Sequence, residues 1–367
     1  MKHFTFYVLL TMLLSSCSKN NEEQVVLDPP LVHSVSPLGG RPGTVVTIEG
    51  ENFSRLRANN KVLFNGVEAK IIHFNENTIH VNAPNGSTDG PIVIQVAGQS
   101  VDGPEFHFIQ PPAPTGEKVV VKVLSFGGHP AAGATNAAAF LAYYADIAKT
   151  REVDFIVARE TDSVTTTRSA GVDRPKVISE LSGLPYYQFS RMILADYQNG
   201  AFGLAVYSKY PIVEQWSRHL GENRVLSVIQ VQVTPQSQIA FAGLQVNDVY
   251  GANSTAITNN QTLRNSQAAD ASTALNDVMV PLVLAGGLFM ADAVPLEDPM
   301  FKIFNQDGFI PGCTSCAFTS RSNNRDIIAD FISYRWAREA RIIKYETLDT
   351  APGSDRKPVY MEIEFSL

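Results

Sequence analysis

The sequence is poor in the groups from which most hydrolytic and redox sites are built. Its 367 residues include seven histidines and three cysteines, and only 18% of them are charged. Acidic residues outnumber basic ones, 36 to 29, for a formal net charge of −7. That balance argues against a nucleic-acid partner, which needs a basic face, although a local basic patch stays open. No apolar run reaches the ~20 residues of a membrane-spanning helix. The apolar content of 44% is ordinary for a folded protein and argues against both chain-wide disorder and a multi-span membrane protein. The Gly-Gly pairs at 127–128 and 286–287 lack the flanking Lys and Ser/Thr of a phosphate-cradling loop. In "VPLVLAGGLFMADA" the apolar run Val280–Ala285 reads as a buried strand, broken by Gly286-Gly287 and followed by an exposed "LFMA". Strand ends of this kind commonly carry catalytic groups, yet this glycine turn offers no carboxylate, amide or histidine.

The N-terminus supplies a compartment. In "MKHFTFYVLLTMLLSSCSKN", Lys2 and His3 precede an apolar stretch, Phe4–Leu14, and then small residues. This is the layout of a secretory signal. "LSSC", Leu14–Cys17, resembles the lipobox of bacterial lipoproteins. The resemblance implies a signal peptide over 1–16, lipidation of Cys17 as the first mature residue, and membrane attachment through that lipid. Ser18 resembles the outer-membrane sorting class, and "KNNEEQ" within a tether over 17–30 resembles acidic tethers of surface-exposed lipoproteins. The expectation is an outer-membrane lipoprotein, with the periplasmic and surface sides both open. In that oxidising setting Cys313 and Cys316 of "GCTSCAF" read as structural, either free or bridged. Zinc would want four ligands, and there is no second pair.

Short β-rich segments follow, "TVVTIEG", "NKVLFNG", "AKIIHF", "TIHVNAP", "GPIVIQVAG" and "EFHFI", separated by Gly, Asn and Pro. Many short strands with turns between them describe a small β-sandwich. The Pro-x-x-Gly turn, the Gly-x-Asn-Phe corner and the late Ala-Pro fall in the order of an IPT/TIG module, which this region, 31–109, resembles. The proline-rich "QPPAPTGE" reads as a linker over 110–117. Beyond it, over 118–367, strands alternate with three helical stretches, "NAAAFLAYYADIAKTREV", "RPKVISELSGL" and "TLRNSQAADASTALNDVM". Strand pairs between isolated helices predict two sheets flanked by helices.

The blocks "VKVLSF", "DFIVARET", "NGAFGLAVYSKYPI", "IAFAGLQV", "PLVLAGG", "ADFIS" and "GSDRKPV" resemble the endonuclease/exonuclease/phosphatase superfamily in order and spacing. This is the fold of DNase I-like nucleases, sphingomyelinases and inositol-phosphate phosphatases. The predicted chain is therefore multidomain: an Ig-like β-sandwich followed by an α/β four-layer sandwich.

The resemblance implies cleavage of phosphate esters with a divalent cation, usually magnesium. Oxygen ligands would hold the cation, and histidines would activate water and stabilise the transition state. Residue by residue, the family's metal-binding Asn falls on Gly127 and its Glu on Glu160, with Arg159 where Gln usually stands. Its Thr-His-Leu histidine becomes Gln245, and the Asp and Asn of Gly-Asp-x-Asn become Gly287 and Phe289. Asp330 and Asp355 are kept, and the last histidine becomes Arg356. Gln245 cannot titrate, and an arginine stays protonated, so neither serves as a base.

The reading this favours is a non-catalytic domain that needs no cofactor, in which Arg356 and Arg159 supply the positive charge in place of metal. Arg356 is expected to pair with Glu160, Asp330 or both. The role would be to bind an extracellular ligand such as a glycan. One alternative is a phosphodiesterase or phosphatase with a rearranged site, in which Glu160, Asp330 and Asp355 hold Mg2+ and His129 moves protons. Another is a structural or interaction component with the IPT/TIG module as a stalk. "LPYYQFSRM", with Tyr186, Tyr187 and Phe189, reads as core beside a strand, and "CTSCAFTSRSNNRD" as a solvated connection.

Overall fold

The computed structural model describes residues 28–84, 86–109, 115–127, 134–251, 253–322 and 324–367, with the side chains of 134–136 omitted. The signal peptide over 1–16, Cys17, most of the 17–30 tether, most of the 110–117 linker, and His129 lie outside the described residues.

The N-terminal unit is two sheets face to face. One runs Leu31–Ser36, Val45–Glu51, Thr78–Asn82, Lys70–Phe74. The other is built mainly from Gln99–Phe108, Gly90–Val96 and Asn60–Phe64. Alternation along these strands turns Ile48, Ile79, Val62 and Ile94 inward, each fully buried. Phe64, Phe106 and Phe108 close the core with edge-on ring contacts.

The C-terminal unit is the predicted four-layer sandwich. A six-stranded sheet runs Tyr186–Arg191, Ala201–Ser208, Phe155–Ser163, Lys118–Phe126, Val359–Ser366, Ala340–Thr347. It faces a second sheet, Ile212–His219, Val225–Thr234, Ser237–Gln245, Leu282–Met290, Arg325–Arg335, completed by Ile310–Pro311. The inner core between them is Val123, Phe155, Val206, Phe241, Val283 and Ile363, with Phe155 stacked on Phe241. Helices α1 (Ala134–Thr150) and α2 (Arg174–Ser182) cover the outside of the first sheet. Helices α3 (Ser254–Ala274) and α4 (Pro299–Gln306) cover the second. Helix α4 was not predicted. It starts at the Asp298 N-cap, whose carboxylate accepts from the Met300 and Phe301 amides, with Pro299 in its first turn.

Three local readings are corrected. Gly286-Gly287 does not end its strand: Leu282–Met290 is continuous, with a bulge between Gly287 and Met290. The "LFMA" segment is not exposed, since Leu288, Phe289 and Met290 are all buried. "CTSCAFTSRSNNRD" is more than a connection, because Ser320–Ser322 pairs with the start of Arg325–Arg335. In addition, Tyr186 is 40% exposed rather than core, and only Tyr187 and Phe189 pack, partly buried, against the cluster under α1. The Cys313 and Cys316 sulfurs are bonded, with their Cα atoms 5.6 Å apart.

Candidate functional site

The retained carboxylates sit where strands of the two sheets end side by side. Each sheet carries a bulge at this end. In Phe155–Ser163 the register shifts between Ala158 and Thr161, and in Leu282–Met290 between Gly287 and Met290. Within the bulges Glu160 has φ +54° and Phe289 φ +51°, left-handed conformations that cost a side-chain-bearing residue about 1 kcal/mol or more. The extra residue re-aims its neighbours, so Arg159 turns into the protein and becomes wholly buried while Glu160 stays at the rim.

Arg159 fills the centre. Its Nε donates to Asp330 Oδ1 at 3.1 Å and its Nη2 to Asp330 Oδ2 at 2.6 Å, a two-point pairing of fully buried groups. Ser125 donates to Asp330 Oδ1 as well. The third guanidinium nitrogen, Nη1, lies 3.4 Å from Gln245 Oε1. Gln245 then donates through Nε2 to Glu160 Oε1 at 2.9 Å. Arg356 Nη1 reaches the same oxygen at 3.0 Å. The pairing expected between Arg356 and Glu160 is thus present, whereas Asp330 is held by Arg159. The Phe289 ring lies beside both guanidinium groups, 5.3 Å from that of Arg159 and 5.8 Å from that of Arg356.

The glycines belong to this arrangement. A Cβ on Gly127 would lie 2.2 Å from Arg159 Nη2, and one on Gly287 would lie 2.6 Å from Arg159 Nη1. The guanidinium therefore occupies the space into which side chains at those two positions would project.

The electrostatics agree. Burial pushes the Glu160 carboxyl up, but Arg356 and then Arg159 outweigh it and hold the group at about 2. Burial pulls the Arg356 guanidinium down, and Glu160 and Asp330 more than reverse this, so it sits above its ordinary range. Two cations and two anions close on one another. Burial also raises the hydroxyl of Tyr144, whose ring stacks on Phe126, far from any value at which it could act as a base.

These residues do not fit the divalent cation that the fold implies. Both Asp330 oxygens already accept from a guanidinium, and Glu160 accepts from Arg356 and Gln245. Asp355, proposed as a third ligand, is exposed. Among the described residues no group of three or more His, Cys, Asp or Glu side chains is placed to hold a metal ion, so Glu160, Asp330 and Asp355 do not converge as such a set.

Two site-building residues escaped the sequence reading. The Thr319 hydroxyl accepts from the Ala329 and Asp330 amides at 2.7 and 3.1 Å, and its carbonyl accepts from the Lys357 amide at 2.8 Å. It thereby fixes Asp330 and the loop carrying Arg356 to one point. Arg264 of α3, almost wholly buried, donates to the Phe289 carbonyl at 2.6 Å and forks onto both Asp298 oxygens at 3.1 and 3.2 Å. It ties the second bulge to the cap of α4. Neither residue has a local sequence signal, because their partners lie ten or more residues away on other elements.

Comparison with known proteins agrees with this architecture. Residues 30–108 match the IPT/TIG domain family. Solved structures similar to the rest include an endonuclease/exonuclease/phosphatase from Beutenbergia cavernae, with 17% identity, TM-score 0.53, and coverage of 67% of this chain and 72% of that one. An endonuclease/exonuclease/phosphatase family protein from Bacteroides thetaiotaomicron is 15% identical, with TM-score 0.50 and coverage of 69% and 98%. One from Leptotrichia buccalis is 13% identical, with TM-score 0.50 and coverage of 67% and 100%. No curated protein matches. The chain is thus an IPT/TIG module followed by a domain with the endonuclease/exonuclease/phosphatase fold.

Proposed function

We propose that the C-terminal domain is a non-catalytic form of this fold, and that the protein is a lipid-anchored envelope component binding an extracellular ligand such as a glycan. One observation carries the reading. The carboxylates at the former metal position are neutralised from within, Asp330 by Arg159 and Glu160 by Arg356. The groups that would move protons are replaced by Gln245, which bridges Arg159 to Glu160, and by Arg356, which stays charged. Loss of one general acid–base group removes roughly 10²–10⁴ in rate, and here both histidine positions are changed. The envelope location is supported by the N-terminal sequence, and the glycan by that location alone, since fold does not specify function.

The test is calorimetric titration with Mg2+ and then Mn2+, beside hydrolysis of bis(p-nitrophenyl) phosphate. The reading expects no binding heat and no turnover. Turnover that depends on added metal and disappears in Glu160→Ala overturns it.

A further inference from the structure

The former active site is filled, so a ligand needs another surface. The chain has two tryptophans, and each lines a hollow on the C-terminal domain. Trp336 lines the smaller, of about 110 Å3, and its indole is already engaged: Nε1 donates to the Ser366 carbonyl at 2.8 Å, and Arg338 lies over the ring at 5.2 Å. Trp216 lines a groove of about 620 Å3 between the edge of the second sheet and the C-terminal end of α3. That volume falls within the ~300–1,000 Å3 of small-molecule sites.

Sheet register builds the floor of this groove. In the edge strand Ile212–His219, Glu214, Trp216 and Arg218 alternate onto one face. Glu214 pairs across to Gln230, and Trp216 to Val228. The indole is half-buried, braced by the core beneath it, and open on the groove side. Asp277, just past α3, forms the opposite wall. Arg218 is neutralised by Asp270 of α3 at 2.5 Å and Asp277 is partly offset by Arg41, so the exposed Glu214 chiefly gives the groove its acidic character.

We infer that this groove binds an uncharged oligosaccharide, stacked on Trp216 and hydrogen-bonded by Glu214, Asp277 and Gln230. The inference rests on the reading that the domain binds rather than hydrolyses. A braced indole offers a large, flat apolar face for the C–H side of a sugar ring. Two carboxylates accept from the ring hydroxyls, beside the Gln230 amide, whose Nε2 also donates to Gln238 Oε1. The same carboxylates repel uronic, sialic or phosphorylated sugars. The open groove along the strand suits a chain of rings better than a single compact group.

The experiment uses the full chain in detergent, titrated by calorimetry with hexasaccharides of glucose, mannose, xylose and N-acetylglucosamine. Chitosan hexamer and hexagalacturonate serve as cationic and anionic probes. At least one uncharged hexamer is expected to bind, and the acidic one not. Trp216→Ala and Glu214→Lys are expected to weaken binding at least tenfold, and Trp216→Phe to keep it within about threefold. Glu214 is exposed, so its variant reads binding even if Trp216→Ala fails to fold. Binding that survives both substitutions overturns the site. No binding of any uncharged hexamer, or selective binding of the chitosan hexamer, overturns the ligand class. Phosphodiester turnover, measured separately, would sink the non-catalytic reading while leaving a sugar site on Trp216 standing.

Discussion

Arg159 and Asp330 form a two-point ion pair with both side chains wholly buried, at 3.1 and 2.6 Å. A guanidinium here presents charge and geometry together, as a fixed fork matched to the carboxylate. It is covalently supplied and not exchangeable. Removing one partner of a buried pair leaves an uncompensated charge and costs about 3–5 kcal/mol. Arg159→Leu is therefore expected to melt well below the wild type. It also frees Asp330 Oδ2 and leaves Oδ1 only its bond from Ser125, so millimolar Mn2+ is expected to raise its melting temperature through preferential binding to the folded state. The wild type is expected to show no such shift. Differential scanning calorimetry with and without Mn2+ checks both, and an Arg159→Leu melt unchanged by the metal would show that the guanidinium is not a stand-in for a cation.

Glu160 makes the site sensitive to acid. Its folded value, about 2, lies below the ordinary 4.5. A depressed carboxylate adds stability that is fully present above its unfolded value and lost as the pH falls through the folded one. The window is therefore about pH 4.5 down to 2, and the contribution is about 3 kcal/mol at 1.36 kcal/mol per unit. Urea melts across this range are expected to show an acid limb that flattens in Glu160→Gln, which is also less stable than the wild type at pH 7. An equally steep limb in the variant would assign the acid sensitivity elsewhere.

Gly127, Gly287 and Arg159 form a steric unit. Gly127→Ala is expected to cost about 1–3 kcal/mol, because the new methyl collides with Arg159 Nη2 at 2.2 Å. In an Arg159→Ala background the obstacle is gone, so the double variant should lose less than the sum of the singles. A coupling of about 1 kcal/mol or more by denaturant unfolding is expected, and additivity would mean that the guanidinium does not set the glycine.

Much of this was legible beforehand, and the failures have physical causes. The sheets could be read from alternating apolar residues and the Gly, Asn and Pro turns between them, because those signals are local. The departures from the family pattern could be read as residue types, at Gly127, Gln245, Gly287 and Arg356. The pairing could not be read in full. Arg159 adjoins Glu160 in sequence, yet the bulge turns it onto Asp330, 171 residues away. Gly286-Gly287 looked like a strand end, but a Cβ on Gly286 would meet the Leu244 carbonyl oxygen at 2.1 Å, and Gly287 faces Arg159. These glycines report close approach across the sheet and the site, not termination. Thr319 acts on backbone groups, which leave no trace in side-chain patterns, and Arg264 joins the Phe289 carbonyl to a carboxylate 34 residues away.

Arg41, in the N-terminal module, donates through Nη2 to Asn276 Oδ1 and to the Asp307 carbonyl, both at 2.8 Å. Asn276 and Asp307 lie just past the ends of α3 and α4, where the helix dipoles favour a cation. Burial lowers the Arg41 guanidinium to about 10 despite Asp307 and Asp277, so it remains charged at neutral pH. Hydrogen bonds from a charged group contribute about 1.5–3 kcal/mol. Arg41→Glu places a carboxylate against Asp307 and Asp277 and is expected to release the module. Small-angle scattering should then give a larger radius of gyration, and calorimetry two unfolding transitions. Arg41→Lys keeps the charge but shortens the side chain and shifts the one nitrogen that reaches both acceptors, so it should fall between. A radius and a single transition unchanged in Arg41→Glu would show that this arginine does not hold the two units together.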